Sequence, residues 1–146
     1  MIHVSHRSWS GYNDELAWSA IWMYKATGQN TYRNEAKQFY IDAGNSAKTL
    51  FSWDEKNAGI SVLLLEEDGG SQYRDHVNSY CDAFRGQVGD EGVACITEWG
   101  NNRYAANSAF VCLRVRFSRC IGSLSISMFL MIDKSDMMCG PISGTF

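Results

Sequence analysis

The sequence predicts an all-α fold in which αα-hairpins stack side by side into an incomplete α/α toroid or solenoid. Three observations carry that prediction. Apolar residues recur at helical spacing in five separate segments. Short glycine-bearing links join the first four segments into two pairs. The pairs recur at a period of about 40–50 residues, and a hairpin of that length cannot cover its own apolar face without a neighbour. No strand-like alternation and no βαβ rhythm competes with the helical pattern.

The first helix spans Asn13 to Thr27, where Leu16, Ala17, Ala20, Ile21, Met23 and Tyr24 fall at helical spacing and Trp18 and Trp22 stand one turn apart. Asn13 suits the N-cap, Asp14 and Glu15 sit favourably in the first turn, and Gly28 stands at the C′ position. The short link Gly28-Gln29-Asn30 leads into a second helix over roughly Thr31–Ile41, followed by Gly44. Ser52-Trp53-Asp54-Glu55 has the S-x-x-E form of a capping box and is expected to open a third helix running through Leu65. After Asp68-Gly69-Gly70, Ser71 starts a fourth helix whose Tyr73, Val77, Tyr80, Cys81 and Phe84 form one apolar stripe, ended by Gly86. A fifth is expected over about Arg103–Phe117, with Ala106, Ala109, Phe110, Leu113 and Phe117 as its apolar rows. The first, third and fifth are the more apolar or aromatic, which fits an inner ring of helices surrounded by an outer one.

Composition narrows the function. The chain has 146 residues, 45% of them hydrophobic, which suits one globular domain. A formal net charge of −3 offers no basic field for phosphate backbones, so nucleic acid is not an expected partner. No apolar run approaches the roughly 20 residues of a membrane span, and no membrane partner is expected. The opening Met1-Ile2-His3-Val4-Ser5-His6-Arg7 lacks the apolar centre of a signal peptide. Five cysteines, an odd number at irregular spacings, argue against a closed disulfide set and a C-x-x-C metal site, and for small apolar core residues. No metal and no cofactor is expected.

Residues 118–146 differ in composition from the rest. They hold four of the six Met and the only Pro, with no clear period. They are expected to be a disordered extension, or the product of a shifted frame, a retained intron or a mis-joined gene.

Aromatic and polar residues gather at the helix starts: Trp9 before the first, Trp53-Asp54 at the third, and Trp99 with Arg103-Tyr104 at the fifth. If alternate helices share a direction, these junctions lie at one end of the stack. Indole platforms with directional polar groups suit sugar rings, whose C–H faces lie on aromatic rings while their hydroxyls seek fixed partners. The competing reading makes the tryptophans core and Arg103 a surface cation.

Three blocks carry a resemblance. Ser8-Trp9-Ser10-Gly11-Tyr12-Asn13-Asp14-Glu15-Leu16-Ala17-Trp18 with Trp22-Met23-Tyr24-Lys25-Ala26-Thr27-Gly28 is the first. Phe51-Ser52-Trp53-Asp54-Glu55-Lys56-Asn57-Ala58-Gly59 with Val62-Leu63-Leu64 is the second, and Trp99-Gly100-Asn101-Asn102-Arg103-Tyr104-Ala105-Ala106-Asn107-Ser108-Ala109-Phe110 the third. Together they resemble glycoside hydrolase family 9, the endoglucanase (cellulase) family, in its order and at about its spacing. Residues 8–117 would then be part of that family's catalytic domain, a six-hairpin (α/α) toroid with a cleft across one end. The resemblance implies that Trp9 lines the cleft and that Asp54, Trp99, Arg103 and Tyr104 contact the glucan. Trp9 and Trp99 would stack on sugars, Asp54 and Arg103 would hydrogen-bond hydroxyls, and Tyr104 would offer a ring edge and a hydroxyl. Trp18, Trp22, Tyr24 and Trp53 are expected to pack. The implied partner is a β-1,4-glucan oligo- or polysaccharide, and the implied parent is secreted.

The departures from the family pattern matter as well. Its base lies in an Asp-Ala-Gly-Asp motif upstream of the first block, and its acid is a Glu near the C-terminus beyond a His/Arg segment. Neither is present here, so no catalytic residue is assigned. Asp42-Ala43-Gly44-Asn45 matches the first motif by letters only, since it stands at the wrong place in the order and ends in Asn. His3, His6 and His76 do not reproduce the His/Arg segment, and His76 is expected on the polar side of its helix. Ser19 stands where the family usually has Gly, and Thr49 where some members have an aromatic. The resemblance therefore implies a central piece of an inverting endo-β-1,4-glucanase without its acid/base carboxylates, inactive alone and prone to self-associate through open inner helices. Two alternatives are a non-catalytic carbohydrate-binding pseudoenzyme and a helical-repeat interaction module.

Overall fold

The computed structural model describes Trp9 and residues 11–44 and 50–120, with side chains through residue 115. Five α-helices make up this part: α1 (Asn13–Thr27), α2 (Asn30–Asp42), α3 (Asn57–Asp68), α4 (Ser71–Arg85) and α5 (Asn101–Cys120). Among the described residues the only β pairing is one antiparallel bridge between Val88 and Ala94. The all-α prediction holds. So do the hairpin pairs α1–α2 and α3–α4, which pack against each other as antiparallel neighbours. The divergent tail predicted for 118–146 lies largely outside the described residues, and α5 runs unbroken through its first three residues.

Three helices form the inner layer. α3 contacts both α1 and α5, while α2 and α4 lie outside. α3 is buried along Asn57–Leu65, as a helix covered on all sides must be. α1 contributes Ala17, Ala20 and Ile21 to the core, α2 Ala36 and Tyr40, and α4 Tyr73, Val77, Tyr80 and Cys81.

Each outer helix is tied to an inner one by a tyrosine. Tyr40 of α2 hydrogen-bonds Ser61 of α3 at 2.5 Å and His76 of α4 at 2.6 Å. Tyr80 of α4 hydrogen-bonds Ser108 of α5 at 2.6 Å. Burial pushes the Tyr40 phenol up to about 12 and raises that of Tyr80 as well. His76 is thus not on a wholly polar face, as expected from sequence, but turned toward α2.

Several local expectations need correction. Asn13 is the first residue of α1 rather than its cap; its side-chain amide donates to the Asp42 carbonyl at 3.2 Å and ties the start of α1 to the end of α2. The Ser52–Glu55 box closes a turn ahead of α3, not the helix itself. Ser52 Oγ accepts the Asp54 and Glu55 amides, and the Glu55 carboxylate reaches forward to the Asn57 N–H, so the helix opens at Asn57. Gly28 does end α1 in the left-handed region (φ +71°), its N–H donating to the Tyr24 carbonyl at 2.7 Å.

The buried stripe of α5 is also rotated from the one predicted. Tyr104, Ser108, Val111 and Val115 face the core, at i, i+4, i+7 and i+11, while Phe110 is 61% exposed. The Tyr80–Ser108 bond sets that face, because a buried hydroxyl needs a partner more than an exposed phenyl needs cover. The cysteines also differ from the expected free, apolar core residues. Cys81 and Cys112 form a disulfide that clips α4 to α5, and Cys95 is also disulfide-bonded.

Candidate functional site

Polar links at both ends of the inner layer fix the direction of its helices. At one end, Asp14 of α1 accepts the Lys56 backbone N–H at the start of α3 at 3.0 Å, and Lys56 Nζ reaches Glu15 at 3.0 Å. There too, Asn107 in the first half of α5 donates to the Phe51 carbonyl at 3.0 Å. At the other end, Lys25 of α1 pairs with Glu66 and Glu67 of α3, and Arg114 of α5 pairs with Glu66. α1, α3 and α5 are therefore parallel. Their N-termini, and the junctions that lead into them, share one end of the molecule.

The first two junctions meet directly. The Trp9 backbone N–H donates to Asp54 Oδ1 at 2.8 Å across 45 residues of sequence. That bond anchors Trp9 on the turn before α3, and it leaves the residue 82% exposed. Asp54 thus has a partner that sequence reasoning did not supply. Beneath this contact, burial and the adjoining Glu15 carboxyl push Asp14 up to about 6, although the Lys56 amide pulls the other way. Glu15 is held below its ordinary value by hydrogen bonds from Asp14 and Lys56, which outweigh its own desolvation.

The third junction is a self-braced loop. Asn101 Oδ1 accepts the Ile96 and Thr97 amides at 2.7 and 3.3 Å, and its Nδ2 donates to the Ala94 carbonyl at 2.6 Å. Thr97 Oγ1 donates to the Trp99 carbonyl at 2.8 Å. Trp99 is left 85% exposed, a conspicuous position for an indole with so much apolar area to hide. Arg103 lies over the Tyr104 ring, its Cζ 4.6 Å from the centroid, and its Nη2 donates to the Tyr104 hydroxyl at 2.8 Å.

Trp9 and Asp54 are therefore brought together, and Trp99, Arg103 and Tyr104 form a second cluster at the same end. Tyr104, expected to offer a ring edge and a hydroxyl, is 8% exposed, with its ring face under the Arg103 guanidinium and its hydroxyl accepting from Arg103 Nη2. Trp53, expected to pack, is 59% exposed at the same end. Its position beside Asp54 could have flagged it. Trp22, also expected to pack, meets the Trp18 ring edge-on at 5.8 Å but is 46% exposed, and it lines an apolar groove of about 210 Å³ with Trp18, Phe51, Gly59 and Phe110. Among the described residues no group of His, Cys, Asp or Glu is arranged to hold a metal ion.

Known proteins are similar to this chain in sequence and in helix arrangement. The sequence profile of glycosyl hydrolase family 9 matches residues 3–127. Endoglucanase B of Cellulomonas fimi is 39% identical over 122 residues, covering 74% of this chain and 12% of that protein. The solved endoglucanase of the termite Nasutitermes takasagoensis superposes with a TM-score of 0.70 at 36% identity, over 77% of this chain and 27% of that one. The cellulase Cel9M of C. cellulolyticum, solved also in complex with cellobiose, superposes with a TM-score of 0.70 at 28% identity, over 82% and 28% of the two chains. These solved relatives are (α/α)6 barrels, of which the five helices here form part. The chain spans less than a third of the length of each of these relatives. It belongs to glycosyl hydrolase family 9.

Proposed function

We propose that this chain supplies part of the β-1,4-glucan cleft of an inverting endoglucanase. The parent reaction is hydrolysis of cellulose or a related β-glucan. One carboxylic acid protonates the leaving oxygen while a carboxylate on the far side of the ring activates water. In this reading Trp9 and Trp99 stack on glucosyl rings, Arg103 donates to sugar hydroxyls, and Asp54 adds a further polar contact beside Trp9. The observation that carries the reading is the parallel direction of α1, α3 and α5, which puts both exposed indoles at one end. The polar detail from Trp99 to Tyr104 favours it over a plain interaction module.

The carboxyl pair is assigned outside these residues, because neither the family's Asp-Ala-Gly-Asp motif nor its Glu beyond a His/Arg segment is found in this sequence. The chain alone is expected to bind glucan without cleaving it. Affinity electrophoresis in gels containing hydroxyethylcellulose tests this. The chain should be retarded and Trp99→Ala should run freely. A chain that is never retarded contradicts the reading, and reducing-sugar release by pure chain contradicts the assignment of the acid and base elsewhere.

Self-association and export belong to the same reading. The groove that exposes Trp22 and Phe110 on the inner face supports association of copies, checked by analytical ultracentrifugation. The Cys81–Cys112 disulfide supports an oxidising compartment and so a secreted parent. Among the described residues no helix is long and apolar enough to cross a membrane. The division into a catalytic-domain segment at 8–117 and a mis-joined tail at 118–146 is likewise proposed, and sequencing the transcript across that junction tests it.

A further inference from the structure

Arg103 stands at the rim in a conformation that its own neighbours impose. Gly100, one turn before it, has φ +66°, where residues with a side chain are strained. A Cβ there would lie 2.8 Å from Arg103 Nε, 3.0 Å from Cζ and 3.2 Å from Nη2. On its other side the guanidinium rests on the Tyr104 ring and donates to the Tyr104 hydroxyl. The Arg103 backbone N–H also donates to the Gly100 carbonyl at 3.2 Å. The absent Cβ at Gly100 leaves room for this long, flexible cation to lie on the Tyr104 face, and any side chain at that position would displace it.

We infer that Gly100 and Tyr104 are positioning residues that preset the Arg103 guanidinium at the start of α5, as a fixed fork of donors for adjacent hydroxyls of one glucosyl unit. The inference rests on the proposed glucan cleft and deepens it. An unrestrained arginine would lose rotamer freedom when sugar binds; one already clamped loses little, and the gain appears as affinity. The planar fork matches two neighbouring oxygens, which a lysine cannot do. Tyr104 uses one of the five guanidinium N–H groups, and Arg103 has no other side-chain partner among the described residues.

Two readouts test the clamp. By NMR, the Arg103 Nε–H resonance should be displaced by the Tyr104 ring current in the intact chain. Gly100→Ala and Gly100→Asn should return it toward the free-arginine position, as should Tyr104→Leu. Asn tolerates the left-handed backbone, so Gly100→Asn separates the added Cβ from backbone strain. In hydroxyethylcellulose gels, Gly100→Ala should weaken retardation about fivefold in the intact chain and less than about twofold in an Arg103→Ala background, because it acts through Arg103. An unmoved resonance in both glycine variants overturns the clamp. So does equal weakening in the two backgrounds. Absence of retardation in the intact chain instead removes the glucan reading, and the resonance then decides the clamp alone.

Discussion

The Trp9 amide and the Asp54 carboxylate meet at 2.8 Å and join two segments that lie 45 residues apart. The bond is exposed, so it adds little to overall stability. Its value is local. It fixes the Trp9 backbone against the turn before α3, and so bears on where the Trp9 indole stands.

Removing the acceptor should free Trp9. Asp54→Ala is expected to weaken hydroxyethylcellulose binding roughly 3- to 10-fold, equivalent to about one net hydrogen bond, with little change in unfolding midpoint. Asp54→Asn retains an acceptor oxygen and should bind nearly as well. Equal loss in the two variants would mean that the carboxylate charge, and not an acceptor oxygen for the Trp9 amide, carries the effect.

Tyr40 holds three helices together. Ser61 Oγ donates to the Asn57 carbonyl at 2.9 Å, so the Tyr40 hydroxyl donates to Ser61 and accepts from His76 Nδ1. Tyr40→Phe leaves a buried network without its centre. It should cost roughly 1–3 kcal/mol in urea unfolding. A loss below about 0.5 kcal/mol would show that the network contributes nothing net.

Gly59 admits no side chain. A Cβ there would come within 2.7 Å of the Phe51 ring, ahead of α3, and 2.8 Å of the Trp18 ring on α1. Gly59→Ala should destabilise by roughly 1–3 kcal/mol through overpacking, despite the higher helix propensity of alanine. Unchanged or raised stability in thermal unfolding would contradict that packing.

Asp14 gives the fold a pH dependence of unusual sign. Its carboxyl is raised to about 6 from 3.8, so the folded chain holds a proton that the unfolded chain releases. That contribution is complete below the unfolded value and is lost as pH rises through about 6. Glu15 is shifted the other way and is already ionised above its ordinary 4.5. Between about pH 4.5 and about 6, stability should therefore fall with rising pH. Urea midpoints should show that slope, and Asp14→Asn, which keeps an acceptor for the Lys56 amide, should lose it.

Much of the fold was legible in sequence because helix periodicity and glycine stops are local signals. Gly28 ended α1 as expected, and the stripe through Tyr73, Val77, Tyr80 and Cys81 faced the core. The errors fell where distant residues compete for polar groups. Asn13 serves the end of α2, Glu55 turns forward to α3, and Ser108 draws α5 toward Tyr80. Spacing along the chain carries no trace of those partners. The Cys81–Cys112 pair was hidden for the same reason, since an odd cysteine count says nothing of which two helices touch. At the rim, the residue types at the helix starts were visible, whereas the covering of Tyr104 by Arg103 required the folded loop.

A cellohexaose titration followed through the indole N–H resonances of Trp9 and Trp99 tests the shared rim most directly. Both resonances should move together and saturate at the same ligand concentration, while Trp22, in the inner groove, stays in place. Movement of only one rim indole, movement of Trp22 in their stead, or two different saturation points would contradict a single binding surface.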